Sequence, residues 1–159
     1  MKRVFVFALL LACLSLCSCD INSESERARE YCFESKGIIF TVGDDFERVV
    51  AALGNPNSKL SSVSCADEGM DVVYSYNGFK IYSHKRDMQG IITEIDITSD
   101  AIQTPEGIRI GDSTDRVHEK YGEGNYVNGA IEYIGRKCVL RFYMRDGRVS
   151  AIKYTENDR

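Results

Sequence analysis

Little in this chain could perform chemistry. It has two histidines, His84 and His118, and neither belongs to a visible Ser/His/Asp arrangement. No glycine-rich phosphate motif occurs. Beyond residue 18 there is no CxxC and no Cys/His cluster, which argues against a structural zinc site. No cofactor is implied. There is no basic run and the net charge is negative, so the chain offers no footing for nucleic acid. With two prolines and no low-complexity tract, disorder is not expected beyond a short N-terminal stretch.

Long hydrophobic runs are also missing, with one exception. After Met1-Lys2-Arg3, residues 4–16 are almost wholly apolar. That run is too short to cross a bilayer comfortably but has the length of a signal-peptide core. Cys13, Cys17 and Cys19 cluster at its end. Leu16-Cys17-Ser18-Cys19 resembles a bacterial lipoprotein lipobox. Leu10-Leu11-Ala12-Cys13 fits locally but leaves too short a signal, and Leu16 is too large to precede a cut at Cys17. The alternative is an ordinary secretory signal with incidental cysteines. The resemblance implies residues 1–18 as the signal, Cys19 as the lipidated residue and acyl chains as the membrane anchor. Residues 20–29 (DINSESERAR) read as a solvated tether.

Removal of residues 1–18 leaves 141 of 159 residues, enough for one domain with a modest core. Lys2 and Arg3 leave with them, so 18 basic residues face 24 acidic ones, a balance of −6. Cys32, Cys65 and Cys138 remain, an odd number that cannot all pair internally. Cys138 begins an alternating apolar face and suits a buried thiol. A Cys32–Cys65 disulfide is compatible with an exported protein, though spacing alone does not establish it.

The chain's main pattern is a duplication. Residues 40–54 match 108–122 at an offset of 68, with Gly43/Gly111, Asp44/Asp112, Arg48/Arg116, Val49/Val117 and Gly54/Gly122 identical. Residues 76–98 match 133–155 at an offset of 57, pairing Tyr76 with Tyr133 and Gly90 with Gly147. The shorter offset means about eleven extra residues in the first copy, between Gly54 and Tyr76. Each copy reads as an extended piece, a Gly-Asp step and a helix. Asp44 and Asp112 are the expected N-caps, with Glu47 and Asp115 three residues on. Phe46, Val49, Val50 and Leu53 form one apolar stripe, and Gly54 and Gly122 supply the stop. Asn77-Gly78 marks a hairpin, and alternation continues along 137–145 and 149–155. The expected fold is α+β, with two tandem repeats. Each is a helix followed by a three-stranded antiparallel meander, with the helices packed on one face of the sheet or sheets. The expected divisions are a signal over 1–18, a tether over 19–35, repeat one over 36–100 and repeat two over 101–159.

This order after a lipobox resembles the beta-lactamase-inhibitor-protein-like fold. It is also similar to the small outer-membrane-assembly lipoproteins of the SmpA/OmlA type, which carry one such unit. Residues 104–113 (TPEGIRIGDS), followed by Val117 and Tyr121-Gly122, look like the repeat of many bacterial lipoproteins. The shared motifs are caps and turns, so no inhibitory contact residue is carried over.

The residues singled out for binding are Lys80, Tyr82, Arg141, Tyr143 and Arg145, on the strand face turned away from the helices. Tyrosine and arginine carry much of the energy at protein interfaces; the competing reading is an ordinary solvated face. His118 aligns with Val50 on the apolar stripe, as a partly buried histidine with a satisfied bond. His84 reads as an exposed strand residue. The Gly-Asp pairs could suggest a phosphate or metal loop, but capping explains them. Together these features imply a membrane-anchored, extracytoplasmic lipoprotein that binds a protein or peptide at the cell envelope without catalysis. The alternatives are a structural component of an envelope assembly and, more remotely, an enzyme.

Overall fold

The computed structural model describes residues 30–64, 68–86 and 89–158. The proposed signal, Cys19 and Cys65 lie outside the described residues, and the Cys32–Cys65 pairing with them. A hairpin comes first, β1 (Phe33–Ser35) and β2 (Ile38–Phe40), followed by α1 (Phe46–Leu53). Four strands come next: β3 (Ser58–Val63), β4 (Met70–Tyr76), β5 (Phe79–Arg86) and β6 (Gln89–Ile97). The second half holds α2 (Thr114–Tyr121), β7 (Asn125–Val127), β8 (Ala130–Ile134), β9 (Cys138–Arg145) and β10 (Arg148–Glu156). All strands of the main sheet are antiparallel, in the order β3-β4-β5-β6-β10-β9-β8-β7.

This corrects the expected fold class. The protein is mostly antiparallel β, with 50% strand and 13% helix. It is not built from two helix-plus-three-strand repeats. Each half adds four strands to one continuous sheet, and the β1–β2 hairpin stands outside both halves. The overlooked strands are the two edges. In β3 every residue is exposed, so its sequence has no in-out alternation to read, and β7 has only three residues. The extra residues of the first copy lengthen the β3–β4 edge hairpin. Residues 33–35 form a strand although the sequence assigns 19–35 to a tether, because Phe33 is a core residue.

The duplicated Gly-Asp step acts as a clasp. Gly43 (φ 85°) and Gly111 (φ 95°) turn the chain through a conformation that favours glycine. Gly43 N–H donates to Ile92 O at 2.7 Å and Ile92 N–H to Asp44 O at 3.0 Å. In the second half Gly111 N–H bonds Val149 O and Val149 N–H bonds Asp112 O, both at 2.8 Å. Each helix start is thereby tied to the innermost strand of its own half. The Asp44 carboxylate turns back to accept Thr41 N–H at 3.0 Å, and Asp112 accepts Arg109 N–H at 2.8 Å. The N-caps are therefore Asp45 and Ser113, one residue later than expected; they accept from Arg48 and Arg116 N–H at 2.7 and 3.3 Å. Glu47 does not complete a capping box. It accepts from Lys85 and from Gly90 N–H. Burial alone would raise its pKa, but these bonds outweigh it and hold the carboxyl below its usual value.

One face of the sheet carries the core. Phe46, Val49 and Leu53 from α1 and Val117 and Tyr121 from α2 are buried against it. Phe46 meets Tyr74 with ring centres 4.9 Å apart, and Tyr121 meets Phe142 at 5.1 Å. From the hairpin, Phe33 lies 5.0 Å from Phe79 and 6.0 Å from Tyr154, bridging the two halves. Lys36, at the hairpin turn, donates to Leu53 O at 2.8 Å and caps the end of α1. Each fully buried side chain of this size contributes about 1.5–3 kcal/mol. Helices and hairpin together therefore seal this face of an otherwise two-sided sheet.

Candidate functional site: the open face of the sheet

Strand register decides which side chains share the opposite face. Lys80 pairs with Asp96, Asp96 with Lys153, Lys153 with Arg141, and Arg141 with Glu132. One strand step away, Tyr82 pairs with Glu94 and Glu94 with Thr155. Directly paired residues point to the same side. Lys80, Tyr82, Arg141, Tyr143 and Arg145 therefore stand on one face, opposite Ile81, Ile95, Tyr154, Leu140 and Phe142 of the core.

The middle of this face is an ionic row that sequence reading did not anticipate. The Lys153 ammonium lies 2.6 Å from Glu94 Oε1 and 3.1 Å from Asp96 Oδ1. Tyr82 donates to Asp96 Oδ2 at 3.2 Å. Arg141 Nε donates to Glu132 Oε1 at 2.6 Å, and its guanidinium also bonds the Thr155 hydroxyl. Burial alone would lower the Lys153 pKa, yet bonds to the two carboxylates outweigh it and raise it. Glu94 moves up as well: burial disfavours its charge and Asp96 repels it, which together exceed the stabilising bond from Lys153. Two carboxylates share one ammonium, so the lysine is over-compensated and Glu94 under-compensated. Burial and the nearby Asp96 charge likewise push the Tyr82 phenol up.

These placements divide the five residues. Arg141 is committed to Glu132, whose side chain is only 5% exposed, so it is a structural member of the face. Tyr82 is half-buried and bonded to Asp96. Tyr143 is half-buried and stands between the small residues Ala151 and Ala130. Arg145 is exposed and lies across from Arg148, whose guanidinium donates to Gly111 O at 2.9 Å. Lys80 is half-buried at the other end of the row. The missed members are Glu94, Asp96, Glu132, Lys153 and Thr155; Glu94 and Asp96 in β6 and Lys153 and Thr155 in β10 do alternate with Ile95, Ile97, Ile152 and Tyr154.

Of the histidines, His84 lies on this face, two residues beyond Tyr82 in β5, whereas His118 belongs to α2. His84 is not the exposed residue expected: its side chain is 22% exposed and Nδ1 lies 2.9 Å from Asp71 Oδ1. His118 Nδ1 lies 3.6 Å from Glu123 Oε1, at the end of α2. Among the described residues no group of three or more His, Cys, Asp or Glu could hold a metal ion, and no helix is long and apolar enough to cross a membrane. A shallow cavity of about 310 Å³ lies off this face, at the β8–β9 turn, lined by Val42, Gly43, Arg136, Lys137, Glu156 and Asn157. No family model, curated protein or solved structure matches the chain.

Proposed function

We propose that the chain is a lipid-anchored bacterial envelope protein that binds a protein or peptide partner on the open face of its sheet, without catalysis. The observation that carries this reading is the asymmetry of the sheet. Two helices and a hairpin occupy one side, while Tyr143, Arg145 and Lys80 stand around a self-paired ionic row on the other. A ring held over small neighbours beside an arginine offers contact area and polar bonds at little entropic cost. The Leu16-Cys17-Ser18-Cys19 lipobox supports the anchor, with the acylated Cys19 facing the extracytoplasmic side. The resemblance of this segment to bacterial lipoproteins supports the same placement.

One doubly substituted variant tests the binding face and a second variant tests the anchor. Tyr143→Ala with Arg145→Ala should lower capture of the partner from solubilised membranes at least tenfold, with an unchanged urea midpoint; unchanged capture removes this surface. Arg141 is unsuitable for that test, because its loss disturbs Glu132. Cys19→Ala should move the protein from the membrane to the soluble fraction, and continued membrane retention would refute the anchor.

A further inference from the structure

The two ends of the sheet are unequal. β7 offers three residues at its edge, whereas β3 offers six, all exposed. Leu60 is 68% exposed and Val63 78%. Open strands of this length invite pairing and are normally blunted by charge, proline or cover. β3 has one charged residue, Lys59, and its ammonium is folded over the Tyr74 ring, 5.2 Å from the centre. No proline lies within the strand.

The hydrogen-bond phase shows which groups are on offer. Ser64 N–H donates to Gly69 O at 3.1 Å, in register with the β3–β4 ladder. In an antiparallel strand the direction alternates, so Ser62, Leu60 and Ser58 also face β4. The N–H and C=O groups of Lys59, Ser61 and Val63 then point away from the sheet. Among the described residues no backbone hydrogen bond reaches them from that side.

We propose that a second copy of this chain fills the β3 edge, joining two sheets across a twofold axis. Antiparallel pairing of identical edges requires an axis perpendicular to the sheet, which keeps the helices of both copies on one side. Residues opposite one another must then belong to the same face, so Leu60 can meet only Ser58, Leu60 or Ser62 of the other copy. Centring the axis on Lys59 would set two ammonium groups opposite each other. Centring it on Ser61 would leave Leu60 against Ser62. Centring it on Leu60 places the two leucines in a non-hydrogen-bonded pair, where side chains approach closest. Lys59 and Ser61 then exchange both backbone bonds with Ser61 and Lys59 of the partner strand, in the phase the fold leaves open. The pairing closes on itself, whereas β3 against the short β7 would propagate and bury less. The proposal is independent of the binding face.

The test is a register-specific cross-link in the full chain. Leu60→Cys should give a disulfide-linked dimer on mild oxidation, because a centred non-hydrogen-bonded pair meets disulfide geometry. Ser62→Cys should give no more than the parent chain. By analytical ultracentrifugation the parent should show twice the monomer mass. Ser61→Pro, which deletes only an outward N–H at an edge position, should halve that mass with an unchanged circular dichroism spectrum. A parent that stays monomeric at all concentrations, or equal cross-linking at positions 60 and 62, overturns the proposal. So does a monomer whose Leu60→Cys variant links to a different protein. If Ser61→Pro fails to fold, the cross-linking pair alone decides.

Discussion

The Tyr133 phenol donates to the main-chain oxygen of Gly122 at 2.7 Å, tying the end of α2 to β8. Tyr76 makes the equivalent bond to Gly54 in the first half, at 3.3 Å. Tyr154 contrasts with both. It is fully buried, and its hydroxyl has no hydrogen-bond partner among the described residues.

The two kinds of tyrosine should respond oppositely to removal of the hydroxyl. Tyr133→Phe should cost about 1 kcal/mol, because it leaves a helix-terminal carbonyl without its donor. Tyr154→Phe should be neutral or stabilising, since it removes a buried polar group that earns no bond. Urea unfolding of both variants checks the sign. A larger loss for Tyr154→Phe than for Tyr133→Phe would show that the Tyr154 hydroxyl is bonded after all.

Arg141 should matter more to stability than to binding. Arg141→Ala leaves the nearly inaccessible Glu132 carboxylate without its guanidinium, at a cost of about 3 kcal/mol. Pairing Arg141→Met with Glu132→Leu should recover most of that loss, because the desolvation of both charges disappears. A double-mutant cycle measures the coupling; additive losses would mean that the pair is energetically idle.

Alkali should weaken the fold in a defined window. Burial raises the Cys138 thiol from 9.0 to about 12 and, with the Tyr31 and Tyr126 phenols and the Glu123 carboxylate, the Tyr133 phenol from 10.0 to about 12. Tyr121, Tyr154 and Lys153 are also raised. In every case the folded state keeps a proton that the unfolded chain releases, so stability is complete at lower pH and falls as pH rises. For Cys138 the decline runs from about pH 9 to 12, at roughly 1.4 kcal/mol per pH unit. Cys138→Ala should lessen the fall from about pH 9 upward, leaving the parts due to the raised tyrosines and to the Cys32 thiol, which burial also pushes up. A urea midpoint constant from about pH 9 to 11 would contradict this assignment.

Local chemistry in the sequence was enough to find the helices and inner strands. Asn77-Gly78 marked a turn, Gly54 and Gly122 have positive φ at the helix ends, and the face of Cys138, Leu140 and Phe142 is buried. The edges escaped because Leu60 and its neighbours alternate against nothing: β3 touches solvent on both sides. The caps were misplaced by one residue because Asp44 and Asp45 are equally good acceptors, and only the fold turns one backwards. The parity of Lys80, Tyr82 and Tyr143 was readable from strand period. The ionic row was not, because Glu94 and Lys153 meet only through the β6–β10 junction, and sequence pattern does not say which inner strands adjoin.

That junction governs the order of assembly. β10, the last of the described strands, sits in the middle of the sheet between β6 and β9. During synthesis the first half must wait with β6 uncovered until β10 has been made. Interruption before β10 would leave two half-sheets with raw inner borders, a state prone to clumping. The two halves therefore depend on β10 to become one body.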